Sequence, residues 1–377
     1  MRNLYKFRGC LLGGAAGDAL GYEVEFMREW TIKDRFGPDG ITEYALHDGK
    51  ALISDDTQMT LFTANGLLTG TTRGRVQGIT ERYESYIAEA YIDWLRTQQE
   101  DYPLPGGHPS SWLVNIPELF ARRAPGNACL SGLGCGMRRC EMGSIANPVT
   151  ESKGCGGVMR VAPIGLYFVE KLAIKDADMI AAEAAAITHG HELGYIPAAA
   201  LAHVIYKLTV AEEETVLSAV EDALVAVTEL FPNAVHLSKF IKIAKKAIWL
   251  SSQDIKDVNA IRQLGEGWVA EETFAIAAYC ALKYSRDFDK AIIAAVNHDG
   301  DSDSTGAVTG NILGAYLGLD GIPMKYQQNL ELRDVILDLA DDLCNDCKMS
   351  EFGDYYDETW EHKYIRVDYG KRYDTYD

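Results

Sequence analysis

Two short acidic runs stand almost a chain length apart and carry the residue types that hold hard cations. The first is Ser54-Asp55-Asp56-Thr57, and the second is His298-Asp299-Gly300-Asp301-Ser302-Asp303-Ser304. Alone, the first run also has the composition of a helix start, with Ser54 as N-cap and two aspartates against the dipole. The second run shifts that balance. Asp299, Asp301 and Asp303 alternate along an extended loop, so all three can face one side before a helix begins. An EF-hand is excluded: the D-x-D-x-D start fits, but its sixth position is Ser304 instead of glycine and its twelfth is Gly310 instead of a bidentate glutamate.

What remains is an oxygen donor set: Ser54, Asp55, Asp56, Asp301, Asp303 and Ser304. Carboxylates and hydroxyls without imidazole or thiolate suit magnesium, manganese or calcium better than zinc. Aspartates crowded this way repel one another. Two divalent ions, about 3.5–4 Å apart in typical two-metal sites, would offset four of them. His298 and His189 read as supporting or packing residues, not ligands.

The elements that must position these acids are marked by glycine. Gly9, Gly13, Gly17 and Gly21 precede the first run, with Asp18 and Glu25 in the same stretch; Gly306, Gly310, Gly314 and Gly318 follow the second. Four residues advance about 400° around a helix, so each ladder is a slowly drifting stripe without side chains. Each helical glycine costs roughly 1 kcal/mol relative to alanine. Close helix packing is the reason to accept that cost. The spacing leaves open whether the ladders touch each other or each packs on a third helix.

Elsewhere helical periodicity dominates: Met59 to Leu68, Tyr83 to Leu95, Ile180 to Ile187, Ile196 to Leu208, Val216 to Leu230, Phe240 to Leu250, Thr273 to Tyr284, Asp289 to Val296, Thr305 to Leu319 and Leu332 to Leu343. Alternating strand patterns are scarce. The expected architecture is all-α and many-helix, a single domain over residues 1–350 with an acidic, tyrosine-rich tail over 351–377. Residues 97–157 break the periodicity with glycine, proline and cysteine, and are expected to be functional or partly helical. Within the tail, Trp360 to Tyr369 reads as a short strand pair or as a wrapping or partner-binding segment.

The 377 residues carry 36 basic and 55 acidic side chains, a net charge of −19. That excess argues against nucleic acid and anionic membrane surfaces as partners. Eight cysteines are too sparse for a disulfide scaffold. Cys344 and Cys347 have the spacing of half a zinc site, and Cys129, Cys135 and Cys140 are loosely spaced; free thiols are the expectation for both groups. Arg2, Lys6 and Arg8 before an apolar run imitate a signal peptide, but the run is short, glycine-broken and followed by Asp18, so it reads as the first helix. No stretch approaches the ~20 apolar residues that span a bilayer. The cytoplasm is the expected location, and a monomer the favoured state.

Six motifs in order resemble the ADP-ribosylglycohydrolase family, which includes dinitrogenase-reductase-activating glycohydrolases and ADP-ribosylarginine hydrolases. They are Gly13-Gly14-Ala15-Ala16-Gly17-Asp18-Ala19-Leu20-Gly21 with Glu25-Phe26 following, Ser54-Asp55-Asp56-Thr57, Gly154-Cys155-Gly156-Gly157-Val158-Met159-Arg160, Thr188-His189-Gly190-His191, Gly265-Glu266-Gly267-Trp268-Val269-Ala270-Glu271-Glu272, and the run from His298 to Ser304. Together they cover roughly residues 5–345. The resemblance implies a compact all-α fold holding two magnesium or manganese ions. It carries Ser54, Asp55, Asp56, Asp301, Asp303 and Ser304 over as metal ligands, and places Glu25 beside the scissile bond. It also implies that the loop from Gly154 through Gly156 and Gly157 to Met159 contacts ADP-ribose, with His189 and Trp268 near the same pocket. Many members read G-N-G-S where this chain has Gly154-Cys155-Gly156-Gly157, which leaves side-chain contacts at Cys155 and Gly157 in doubt.

On this reading the chain hydrolyses the bond between ADP-ribose and an acceptor, arginine first, with Glu25, Asp55 and Asp303 as catalytic carboxylates. The substrate is an ADP-ribosylated protein or a small ADP-ribosyl compound. The alternatives are a serine or nucleobase linkage, another two-metal nucleotide hydrolase such as a pyrophosphatase, and a non-catalytic crystallin-like binding protein.

Overall fold

The computed structural model describes residues 2–135 and 142–371. Its helices are α1 (Leu4–Tyr22), α2 (Glu29–Phe36), α3 (Asp55–Gln77), α4 (Tyr83–Gln99), α5 (Asn127–Cys135), α6 (Ala162–Tyr167), α7 (Ile174–Ala186), α8 (Glu192–Val210) and α9 (Val216–Leu230). They continue with α10 (Leu237–Ser251), α11 (Asp257–Ile261), α12 (Ala270–Lys283), α13 (Phe288–Val296), α14 (Ser302–Leu317), α15 (Met324–Gln327), α16 (Arg333–Asn345) and α17 (Glu358–Tyr364). Among the described residues there is no β-strand, only isolated bridges such as Gly154 with Val269.

The two glycine ladders pack on each other. A Cβ added to Gly9, Gly13, Gly17 or Gly21 would fall closer than 3.0 Å to the backbone of Gly314, Gly310, Gly306 and Ser302 respectively. Added to Gly306, Gly310 or Gly314 it would meet Gly17, Gly13 and Gly9 equally closely. The pairs run in opposite senses, so α1 and α14 are antiparallel with their backbones in contact. The amide of Asn311 fixes the register by donating to the Cys10 carbonyl at 2.9 Å. This geometry has a functional consequence: the C-terminal end of α1, leading to Glu25, lies beside the N-terminal end of α14, which carries Asp303.

Both helices are buried on nearly all sides, so neither is amphipathic. One hydrophobic cluster extends around them from Phe7 to Tyr364, with a smaller one between α10, α11 and α12. α8 has the length and hydropathy of a bilayer span, contrary to the expectation that no segment comes near it, yet 83% of that window is buried among other helices. Its apolar surface is spent on the core.

Residues 97–157 hold short 3-10 turns at Trp112–Asn115, Pro117–Phe120 and Cys155–Gly157 besides α5. The tail segment corrects one alternative: Trp360 to Tyr364 belongs to helix α17, capped by Asp357, and forms no strand pair. It wraps instead. The Trp360 indole donates to Thr72 at 2.9 Å, buried Lys363 bonds Asp338 and Asp342, and Asn115 donates to the Val367 and Tyr369 carbonyls.

Candidate functional site

The N-terminus of α3 is built by two acids with different tasks. Ser54 caps the helix, its hydroxyl accepting from the Asp56 N–H at 3.2 Å. Asp18, fully buried on α1, accepts from the Ser54 N–H at 3.0 Å, from the Thr57 N–H at 3.1 Å and from the Thr57 hydroxyl. The first acidic run is thereby bolted to the glycine-laddered helix. Arg123 adds a second brace, pairing with Glu331 at 2.8 Å and donating to the Ile53 carbonyl at 2.9 Å. Sequence reasoning did not assign Asp18 to the site, although an acid in the middle of an apolar, glycine-spaced run was a visible signal.

The N-terminus of α14 carries the second run. Asp301 is its cap and, with Asp303, accepts from the Ser304 N–H at 3.2 and 2.9 Å. The Asp303 charge acts on Asp55, Asp56 and Asp301 alike, and all four line one cavity, so the two runs meet there. Asp299 does not join them. Because α14 already begins at Ser302, the alternation expected of an extended loop fails. Asp299 faces outward, accepts from the Glu29 N–H at 2.8 Å and pairs with Arg262 at 3.0 Å.

These elements enclose a cavity of about 380 Å³ lined by Glu25, Asp55, Asp56, Asp301, Asp303 and Ser304, with Gly154, Cys155, Gly156, Met159, His189 and Trp268 opposite. Residues 124–128, Ser152 and Phe26 complete the wall. Ser54 and Gly157 lie behind the lining; Gly157 packs toward Gly194 and Ala185. The glycine loop and the Trp268 segment form one unit, since Cys155 N–H donates to the Trp268 carbonyl at 3.2 Å and Ala270 N–H to the Lys153 carbonyl at 2.9 Å. Phe26 and Trp268 stack at the mouth, ring centroids 5.8 Å apart.

Charge is concentrated here without compensation. Burial first, and the Asp303 charge second, push Glu25, Asp55, Asp56 and Asp301 far above the usual carboxylate range, and Asp18 up to about 7. Glu25 Oε2 and Asp56 Oδ2 are buried and have no hydrogen-bond partner. A buried, unpartnered carboxylate oxygen costs several kcal/mol unless a cation or donor meets it, so the donor set fits hard divalent ions. Among the described residues no three His, Cys, Asp or Glu already stand at cage spacing. The acids share a wall and would have to turn inward to ligate.

The two histidines differ in place. His189 lines the cavity, buried, its Nδ1 2.8 Å from the Thr188 hydroxyl; burial and the Arg160 cation lower its pKa to about 3, so it is neutral. His298 is inside the fold, bonded to Thr305 at 2.9 Å and accepting from the Gly300 N–H. Cys344 and Cys347 are free thiols. Cys129 is a free thiol buried beneath the glycine loop, while Cys140 and the Cys135 side chain lie outside the described residues.

Comparison with known proteins agrees with this architecture. Residues 2–351 match a family described as ADP-ribosylglycohydrolase. ADP-ribosylhydrolase ARH3 of Mus musculus is 24% identical over 365 residues, covering 88% of this chain and 88% of that protein. The ADP-ribosyl-[dinitrogen reductase] glycohydrolase of Rhodospirillum rubrum is 24% identical over 330 residues, covering 86% and 90%. A solved structure titled ADP-ribosylglycohydrolase-related protein complex shares the fold, with a TM-score of 0.59 at 24% identity over 91% of this chain and 98% of that one.

Proposed function

The chain belongs to the ADP-ribosylglycohydrolase family, and on that premise we propose that it cleaves the N-glycosidic bond of ADP-ribosyl-arginine, on protein or as a small compound. The observation that carries the reading is one cavity lined by Asp55, Asp56, Asp301, Asp303, Ser304 and Glu25, two of whose buried carboxylate oxygens lack partners, with Ser54 behind that wall as the cap of α3. Ser54, Asp55, Asp56, Asp301, Asp303 and Ser304 would hold two Mg²⁺ or Mn²⁺ ions. When bound, such ions supply positive field that orients sugar hydroxyls and acidifies water.

The chain's own residues do the rest. The backbone of Gly154 and Gly156, free of side chains, lets a pyrophosphate approach the loop closely, with Met159 and His189 as the inner wall. Neutral His189 offers a hydrogen bond without adding charge. We assign the proton transfer to Glu25, which lines the cavity: hydrolysis breaks the anomeric C–N bond and forms C–O, so the attacking water loses a proton and the leaving guanidine gains one. Asp55 and Asp303 stabilise the cationic sugar that develops between those events. The Phe26 and Trp268 faces at the mouth suit a planar cationic acceptor such as the arginine guanidinium.

The test is product analysis on ADP-ribosyl-arginine, ADP-ribosyl-serine and an ADP-ribosylated nucleobase, each with and without Mg²⁺ or Mn²⁺. Release of ADP-ribose from the arginine substrate, lost in Asp55→Ala, supports the reading. AMP as product would mean a pyrophosphatase, and full activity of Asp55→Ala would remove the carboxylates from the chemistry.

A further inference from the structure

Arg160 is fully buried, yet among the described residues it hydrogen-bonds to no carboxylate. Its Nη2 donates to the Ala184 carbonyl at 3.2 Å and to the Thr188 hydroxyl at 2.7 Å. Its Nη1 reaches only the sulfurs of Met59 and Cys129, at 3.4 and 3.6 Å. The guanidinium carbon stands 4.3 Å from the centre of the Tyr91 ring, and Nε has no partner. Burying a cation without a carboxylate is costly, and an apolar side chain of similar volume would fill the space without that cost. The hydroxyl it holds leads somewhere useful. The Thr188 oxygen lies 2.8 Å from His189 Nδ1, and the Thr188 carbonyl is itself held by the Thr150 hydroxyl at 2.6 Å.

Counting protons along this chain fixes the imidazole. Arginine only donates, so Thr188 must accept from it. A hydroxyl has one proton to give, and the Thr188 oxygen has one other partner among the described residues, His189 Nδ1. That proton goes to Nδ1, which accepts it, and the ring hydrogen sits on Nε2. The field agrees: a cation on the Nδ1 side favours a lone pair there and the N–H on the far side. Nε2 lies on the cavity side of the ring, under the glycine loop, and carries no hydrogen bond within the described residues. The loop leaves it open because it lacks side chains; a Cβ on Gly154 or Gly156 would stand 3.4 or 3.2 Å from it. We propose that Arg160 and Thr188 are positioning residues that fix His189 as the Nε2–H tautomer, so that its N–H points into the cavity at an acceptor oxygen of the bound ADP-ribose unit. A buried cation is retained because it sets the direction of one hydrogen bond at the site. The inference rests on the reading that this cavity binds ADP-ribose, and goes beyond it in naming what holds the donor.

The experiment labels the histidines of the full-length protein with nitrogen-15 and reads the tautomer from long-range proton–nitrogen correlations, with His189 assigned by the signals that His189→Gln removes. The expected result is a single neutral form with hydrogen on Nε2. Both tautomers should appear in Arg160→Met, where Thr188 is free to accept a proton instead of giving one, and in Thr188→Val, whereas Thr188→Ser keeps the wild-type spectrum. In parallel, calorimetric titration with ADP-ribose should show affinity falling roughly tenfold in Thr188→Val, the worth of one hydrogen bond to a charged oxygen, and recovering in Thr188→Ser. Hydrogen on Nδ1 in the wild type overturns the proposal, as does a spectrum that neither variant changes. If neither variant folds, the wild-type spectrum decides alone. The spectrum does not depend on turnover: an Nε2–H form in a protein that binds no ADP-ribose sinks the reading of the cavity, and an Nδ1–H form in one that does bind it sinks the positioning role alone.

Discussion

The α-carbon of Gly310 faces the carbonyl oxygen of Gly13 so closely that a methyl group on either would overlap the other's backbone. Gly310→Ala therefore cannot be absorbed by rotating a side chain; α1 and α14 must separate. The expected loss is about 3 kcal/mol or more, at the upper end of overpacking costs, read as a lowered urea midpoint. Gly74 is the control. It is also in a helix, but a Cβ there meets nothing nearer than the Thr80 methyl at 3.6 Å, so Gly74→Ala should gain up to ~1 kcal/mol from helix propensity.

Asp18→Asn tests the bolt between α1 and α3. A carboxylate accepts from the Ser54 N–H, the Thr57 N–H and the Thr57 hydroxyl. An amide has one acceptor oxygen and would turn N–H groups toward backbone donors. Stability should fall by roughly 1–3 kcal/mol, and kcat by more than tenfold on ADP-ribosyl-arginine because Asp55 and Asp56 lose their fixed start of α3. An activity loss without any stability change would contradict a positioning role.

The glycine ladders were legible because a helix with glycine every fourth residue has few uses besides close approach. Their mutual contact was not, since nothing in either stripe names its partner. The error at Asp299 is instructive. Alternation puts side chains on one face only while the backbone is extended, and here the helix starts at Ser302, placing Asp303 on the first turn and leaving Asp299 to the α2 N-terminus and Arg262. The wall from Ala124 to Ala128 has no periodicity to read, and its place beside Asp55 depends on a hydrogen bond from the Gly126 N–H at 3.2 Å that only the tertiary fold creates. The α17 helix had a readable signal, Asp357 three residues before Trp360, outweighed by the aromatic residues that suggested strand.

Stability should carry an acid limb from His189. Its folded pKa, about 3 through burial and the Arg160 cation, lies below the ordinary value of 6.5. Between these values the unfolded chain binds a proton that the native state refuses, so stability is complete above pH 6.5 and falls as pH drops toward 3. At about 1.4 kcal/mol per unit this amounts to several kcal/mol. Denaturation midpoints measured from pH 7 to 4 should fall less steeply in His189→Gln than in the wild type. Identical slopes would place the protonation elsewhere.

An aromatic pair stands at the mouth of the cavity. Phe26 is 75% and Trp268 38% exposed, yet their rings lie 5.8 Å apart at 18° to each other. Two large apolar faces held together in water at a cavity rim are poised for a planar group, and they stand outside the ring of carboxylates, so they act on binding and not on the bond being broken. Trp268→Ala should raise KM for ADP-ribosyl-arginine by roughly 2- to 12-fold, the equivalent of one aromatic contact of 0.5–1.5 kcal/mol, and leave kcat within about twofold, as uniform binding requires. The same variant should discriminate less between arginine and serine linkages, because a serine acceptor has no planar cation to lose. A fall in kcat at constant KM would instead put Trp268 at the reacting centre, with the stack holding Glu25 in place through its neighbour Phe26.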